Sequence, residues 1–173
     1  MRSQIILLNG TSSAGKSTLA HALRPHLPLP FCYYASDQLA EAGFRPLAPS
    51  LAREQAYGDS RAQFFAGFHR SIAAFASAGN HLLVEHIVET AQWASELTAL
   101  LDPFDVFWVG VHAPLVELNR RELLRGDRTL GEAQFHLPTH TFCRYNVEVD
   151  STQPLATTIE QITGAWTIWA SNR

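Results

Sequence analysis

The chain is poor in cysteine, methionine and lysine, with two, one and one of these among 173 residues. Cys32 and Cys143 stand far apart, which excludes a disulfide framework and the paired spacing of a structural zinc site, so a reducing, cytoplasmic setting is expected. Long hydrophobic runs are also missing. The opening run, Ile5 to Leu8, is too short for the core of a secretory leader and far below the roughly 18 to 20 apolar residues of a membrane span. Neither sign of charge dominates: 16 acidic and 13 basic residues give a net charge of -3, without the basic excess that nucleic acid or an anionic membrane would attract. Internal repeats, low-complexity tracts and linker-like stretches are absent, and one domain over 1–173 is expected.

What is there is the composition of a packed core, 46% hydrophobic and 17% charged. Four apolar runs read as buried strands: Ile5 to Leu8, Phe31 to Tyr34, His81 to Glu85 and Asp105 to Val111, with a weaker fifth at Asn146 to Val149. Between them lie stretches with helical spacing. Phe64, Phe68, Ile72 and Phe75 share one face of a helix expected over Ser60 to Ser77, and shorter helices are expected from Gly15–Ser17 to Arg24 and over Asp37 to Ala42. Thr90 is a candidate N-cap for a helix reaching Leu101, Pro114 opens one to Arg125, and Pro154 opens one to Ala170. Short strands alternating with amphipathic helices predict an α/β fold with a parallel sheet. The segment from Gly126 to Arg144 is ambiguous, being polar and interrupted by Gly131 and Pro138.

Gly10-Thr11-Ser12-Ser13-Ala14-Gly15-Lys16-Ser17, followed by Thr18, satisfies G-x-x-x-x-G-K-[ST] directly after a predicted strand and before a predicted helix. The glycines let the backbone fold closely around phosphate, successive N–H groups face its oxygens, and the helix N-terminus adds about half a positive charge. Lys16 is then placed to reach the β and γ phosphates of ATP, and Ser17 to offer its hydroxyl to Mg2+. A plain Gly-Ser turn is the alternative. Lys16 is the only lysine, so twelve of the 13 basic residues are arginine, and lysine is kept where a compact ammonium suits phosphate.

The stretch Ile6 to Ser17 resembles the start of the chloramphenicol phosphotransferase family, whose loop has the same Ser-Ser-Ala-Gly-Lys-Ser form. Asp105-Val106-Phe107-Trp108-Val109-Gly110-Val111, Arg125-Gly126-Asp127-Arg128 and Tyr145-Asn146-Val147-Glu148-Val149-Asp150 follow that family's order and spacing. The resemblance implies a P-loop NTPase fold like the shikimate and adenylate kinases: a five-stranded parallel sheet flanked by helices, ATP on the loop, and a mobile, arginine-bearing lid. It also implies a catalytic aspartate at Asp37, in Ala35-Ser36-Asp37-Gln38-Leu39, and lid arginines at Arg121, Arg125 and Arg128; Arg120 has no counterpart. Two departures stand out. Phe44 to Ser60, where the acceptor is expected, is shorter and differently composed, and Glu85-His86 replaces an expected pair of aspartates.

Each candidate has a structural alternative. Asp37, after the second strand, can accept a hydroxyl proton or cap a helix. The cluster Arg120, Arg121, Arg125 and Arg128 can grip phosphate, or form a solvated, ion-paired surface with Glu117, Glu122 and Asp127. Glu85 can support Mg2+ or serve as a structural acid. His136, His140 and Cys143 make a poor metal set, because Pro138 breaks the helix that would align the histidines. The tryptophans, Trp108, Trp166 and Trp169 among them, read as core.

The expected activity is transfer of a phosphoryl group from ATP, with Mg2+, to the hydroxyl of a small molecule. Chloramphenicol is the acceptor the resemblance suggests, with antibiotic inactivation as the outcome. A metabolite or nucleotide kinase of the same fold is the alternative, and a nucleotide-dependent switch is a more distant one. A guanine-specific Asn-Lys-x-Asp element is excluded, since the one lysine lies in the loop. The sequence leaves the oligomeric state open.

Overall fold

The computed structural model describes residues 2–44, 53–125 and 131–173, and for 53–59 only the backbone course. Five strands form one sheet, β1 (Gln4–Asn9), β2 (Phe31–Ala35), β3 (His81–His86), β4 (Asp105–His112) and β5 (Val147–Asp150), all parallel and in the order β2-β3-β1-β4-β5. β1 is central. Its run Ile5-Ile6-Leu7-Leu8 is wholly buried because both faces of the sheet are covered, which is why it reads as continuous apolar sequence rather than as alternation.

Residues of β1 divide between two cores. Ile6 and Leu8 pack with Leu19, Ala20 and Leu23 of α1 (Lys16–Leu23) and with Ile159, Ile162 and Trp166 of the C-terminal helix over Leu155–Ala170. Ile5 and Leu7 face the other way, onto Phe65, Phe68, Ile72 and Ala76 of the helix Arg53–Ser77 and onto Ala94, Leu97 and Leu101 of the helix Ala91–Leu101. In chain order the helices are α1; α2 (Ser36–Leu39); α3 (Arg53–Ser77); α4 (Ala91–Leu101), capped by the Thr90 hydroxyl; α5 (Leu115–Arg125); α6 (Glu132–His136); α7 (Thr139–Phe142); and α8 (Leu155–Ala170).

The departures from expectation have local causes. α3 begins at Arg53 rather than Ser60, since its first turns lack the apolar stripe by which the rest was read. α2 is one turn long and passes into a wider turn over Ala40–Phe44, with Gly43 at a left-handed φ of 87°. The ambiguous stretch holds two short helices separated by Pro138, which stands at the N-cap of α7. β5 is set one residue later than read, because Asn146 is engaged by its neighbour: its side-chain oxygen accepts from the Trp108 amide at 2.8 Å. Among the described residues no helix is long and apolar enough to cross a membrane.

This strand order makes β1 the switch point from which successive connections run to opposite edges. A crevice opens there, at the carboxyl ends of the strands.

Candidate active site

The chain leaves β1 at Asn9 and wraps residues 10–15 into a loop before entering α1. A Cβ on Gly10 would lie 2.4 Å from the Val111 carbonyl oxygen, so only glycine lets the loop pass this close to β4. Ser13 at φ 60° and Gly15 at φ 86° hold left-handed conformations, the curvature that turns consecutive amides to one side as an anion nest. α1 has no side-chain cap. Thr11 Oγ1 and Ser13 Oγ are buried and have no hydrogen-bond partner among the described residues. Buried orphan hydroxyls, open helix amides and an ammonium beside them are the donor set of a phosphate cradle. Lys16 is 6% exposed, and its Nζ donates to the Gly10 carbonyl at 3.1 Å and the Thr11 carbonyl at 2.8 Å. The ammonium is folded onto its own loop.

The next turn of α1 faces β3. Ser17 Oγ donates to Glu85 Oε1 at 2.9 Å, and the Tyr33 hydroxyl donates to Glu85 Oε2 at 2.5 Å. Burial, reinforced by the Glu85 carboxylate, pushes the Tyr33 hydroxyl well above its ordinary range, so it stays a donor. Ser17 and Glu85 thus present adjoining hard oxygens, the ligands Mg2+ takes, with the carboxylate oriented from behind by Tyr33.

Both lie on one cleft of about 680 Å3, together with Ser12, Ser13, Gly15, Lys16, Thr18, Asp37, Arg121 and Arg125. Asp37 is exposed in the first turn of α2, beyond the end of β2. That turn is closed by Gln38, whose side-chain oxygen accepts from the Ala35 amide at 3.0 Å, so the residue at the N-cap position is Ala35 rather than Asp37. Arg121 reaches the loop but is committed to protein: Nε donates to Glu117 at 2.7 Å, Nη1 to the Ser13 carbonyl at 3.3 Å and to Ser151 Oγ at 3.0 Å, and Nη2 to the Ser151 carbonyl at 3.1 Å. It clamps the loop to the turn after β5. Arg125, the last residue of α5, is exposed on the cleft wall. Arg128 and, within the Phe44–Ser60 segment, residues 45–52 lie outside the described residues, and for 53–59 only the backbone is described.

Residues 3–168 match the family described as chloramphenicol phosphotransferase-like protein. The chain belongs to that family. Two Mycobacterium tuberculosis proteins, from strains H37Rv and CDC 1551 and each provisionally named an O-phosphotransferase, are 28% identical over 174 residues, covering 86% of this chain and 75% of theirs. Among solved structures, the Mycobacterium tuberculosis APS kinase in complex with AMPPNP and APS superposes with a TM-score of 0.72 at 18% identity, over 96% of this chain and 98% of that one. Shikimate kinase from Aquifex aeolicus gives 0.63 at 15% identity, over 95% and 96%. The fold is that of the P-loop kinases, with the five-stranded parallel sheet expected from the sequence, and the protein is a P-loop phosphotransferase of the chloramphenicol phosphotransferase-like family.

The cleft also holds Arg61 and Glu89, which nothing in the sequence singled out, and His136, read there only as part of a poor metal set. Arg61 of α3 donates to Glu89, in the loop after β3, and lies 4.8 Å over the Phe65 ring and 5.6 Å over that of Trp93. His136 Nε2, at the end of α6, stands 3.6 Å from the same Glu89 oxygen. Although burial opposes it, hydrogen bonding from His136 and Arg61 holds the Glu89 carboxyl below its ordinary range. The arginine cluster divides. Arg120 is a surface residue paired with Glu117 at 2.7 Å, whereas Glu122, which the alternative reading placed on a solvated surface, is 1% exposed and accepts from the Gly131 and Ala133 amides at 3.0 and 2.6 Å. His140 meets the Tyr145 hydroxyl at 2.9 Å and stacks on His112, away from His136.

His86, where the resemblance leads one to expect an aspartate, is buried, and its Nε2 lies 2.9 Å from that of His69, in a cage with Phe65, Phe68 and Trp93. Burial lowers His69 to about 4 and holds His86 well below the ordinary histidine range, so the pair is neutral at physiological pH. The unfolded chain takes up these protons near pH 6.5, and the folded chain only at lower pH. Stability is therefore present above pH 6.5 and is lost as pH falls toward 4, His69 alone contributing a loss of about 2 kcal/mol at pH 5. Denaturant unfolding at pH 7.5 and 5.0 is expected to show that loss, in a window above the range where carboxylates titrate. Equal stability at the two values would contradict the buried neutral pair.

Proposed function

We propose that the protein transfers the γ-phosphoryl group of ATP, with Mg2+, to a hydroxyl of a small molecule. The observation that carries this reading is that the phosphate cradle, the Ser17–Glu85 oxygens and the Asp37 carboxylate line one cleft.

Lys16 exchanges the carbonyls of Gly10 and Thr11 for phosphate oxygens, and the orphan hydroxyls of Thr11 and Ser13 with the amides of the loop complete the cradle. Ser17 and Glu85 would hold Mg2+, which when bound would offset the charge of the nucleotide phosphates. Asp37 accepts the proton of the acceptor hydroxyl. The acceptor's hydroxyl oxygen forms the new bond to phosphorus while the bond from phosphorus to the β,γ-bridging oxygen breaks, and ADP leaves. Arg121 fixes the position of the loop, and Arg125 and Arg128 are assigned to the charge that develops on the moving phosphoryl group.

The acceptor side includes Asp37 and, we propose, the Phe44–Ser60 segment. Family membership makes chloramphenicol, at its primary hydroxyl, the first compound to test, with antibiotic inactivation as the consequence. Purified protein incubated with millimolar drug and ATP-Mg2+ should yield a drug ion heavier by one phosphate in mass spectrometry. Absence of that ion would remove the drug as acceptor and direct the assay to other hydroxylated metabolites and antibiotics.

A further inference from the structure

Gly110 and Tyr145 belong to the stretches that carry the family resemblance, yet neither lines the cleft. They meet at Asn9, the last residue of β1 and the one before the phosphate loop. Asn9 is in register with Gly110 of β4, and a Cβ on Gly110 would lie 2.7 Å from the Tyr145 ring, so the bare glycine lets the phenol reach the Asn9 side chain. Asn9 is wholly buried, and its amide is used at both ends. Oδ1 accepts from the Val88 amide at 2.9 Å, which turns Nδ2 toward the Tyr145 hydroxyl, to which it donates at 2.7 Å. That hydroxyl then donates to His140 Nδ1 at 2.9 Å, an acceptor because burial lowers His140 to about 4 and keeps the imidazole neutral. The Thr139 hydroxyl, 2.8 Å from the Val88 carbonyl and 3.0 Å from Asn9 Oδ1, shares its one proton between those two oxygens. Val88 is thereby held by its N–H and by its C=O. Its side chain is wholly buried, while Ile87 and Glu89 on either side line the cleft, and Glu89 holds Arg61.

We propose that Asn9 is a positioning residue: by pinning Val88 to the root of the phosphate loop, it sets where Glu89, and through it Arg61, stand relative to the nucleotide. The inference rests on the phosphotransferase reading for what those two groups face. The physical reason is the place where the sheet ends. β3 stops at His86, so Val88 lies beyond the ladder, and the Asn9 side chain supplies the acceptor that a neighbouring strand's carbonyl would otherwise give. One residue thus joins the strand that launches the phosphate loop to the loop that carries Glu89. Because Asn9 is buried and its polar atoms are engaged, a replacement lacking one of them leaves a partner unpaired, and the loop after β3 must shift to satisfy it. Transfer is sensitive to such shifts, since a displacement of about 1 Å can cost about 10²-fold in rate.

The link is read first without an acceptor. Hydrogen exchange at the Val88 amide, followed by NMR, should be at least about tenfold faster in Asn9→Ala than in wild type, with the amides of Leu7 and Val84 unchanged. Thr139→Val removes the hydroxyl at nearly constant shape and leaves Asn9 and the phosphate loop in place, and Thr139→Ser restores the hydroxyl. Trp93 emission, which senses the Arg61 guanidinium over its ring, should change in Asn9→Ala and Thr139→Val, and not in Thr139→Ser or in a Trp93→Phe background. Wild-type exchange and emission would overturn the proposal, and if Asn9→Ala does not fold, the emission of the two Thr139 variants decides. With a phosphorylated compound in hand, Thr139→Val should lower kcat/KM for it by at least about tenfold while AMPPNP-Mg2+ affinity stays within about twofold, and Thr139→Ser should recover most of the rate. In a Glu89→Gln background the loss should vanish, since the carboxylate to be placed is gone. Losses that multiply instead would make Thr139 and Asn9 merely structural and overturn the positioning role. If no compound is phosphorylated, the kinase reading falls, and exchange and emission by themselves decide whether Asn9 places Glu89 and Arg61.

Discussion

Lys16→Ala is expected to lower turnover by at least about 10²-fold and to weaken ATP binding, because it removes the one ammonium placed to follow charge onto the γ phosphate. The loss should appear in kcat as well as in nucleotide affinity, since the interaction strengthens as charge moves. The fold should survive. Nζ donates to the carbonyls of Gly10 and Thr11, and losing those two bonds is expected to destabilise by about 1–3 kcal/mol, or a few degrees in Tm for a chain of this size. Nucleotide titration and turnover, measured on a preparation whose circular dichroism is unchanged, check the expectation. Wild-type affinity and wild-type rate in that variant would take the loop out of the mechanism.

Asp37→Asn separates chemistry from binding. Asparagine keeps the size and the hydrogen-bonding capacity but cannot accept the proton, and general-base assistance is typically worth about 10² to 10⁴ in rate. A fall in kcat of that size is expected with ATP affinity nearly unchanged, because Asp37 lies on the β2 side of the cleft and not among the loop's donors. Tm should scarcely move: the start of α2 is closed by Gln38 onto the Ala35 amide, and Ala35 holds the N-cap position. A variant keeping more than about a tenth of wild-type kcat would end the assignment of Asp37 as base.

What could be read in advance follows from how local each feature is. The phosphate loop is contiguous, its spacing is dictated by phosphate geometry, and the strand before it and helix after it carry their own hydrophobic periods, so Gly10 to Thr18 were legible without the structure. The same holds for β1 and β3, whose burial on both faces gives apolar runs, whereas the half-exposed β5 gave a weaker signal. That Asp37 lies on the cleft was legible through its place after β2 and through family resemblance, not through periodicity; its role as base is a proposal. Arg61 and Glu89 were not legible, because they come from α3 and a loop and each in isolation looks like an ordinary surface charge, and His136, weighed only as a poor metal ligand, gave no sign of its place beside Glu89. Tyr33 was legible only as part of the strand Phe31 to Tyr34, and its hydroxyl bond to Glu85 is a tertiary fact. Glu122 misled in the opposite direction: a carboxylate in a charged run is usually solvated, but here two backbone amides from the next segment satisfy it in the interior. For His86, the resemblance showed only that an aspartate was missing. That a second histidine, seventeen positions earlier, would supply its partner is a tertiary fact.

The most direct measurement of the central claim follows the phosphoryl group itself. With ATP labelled at the γ phosphate, Mg2+ and a panel of small hydroxylated compounds, the label should appear as an organic phosphate ester at a rate that depends on the compound, and should fall by the expected 10² to 10⁴ in Asp37→Asn. Label recovered solely as inorganic phosphate, at a rate indifferent to every hydroxyl compound supplied, would contradict it.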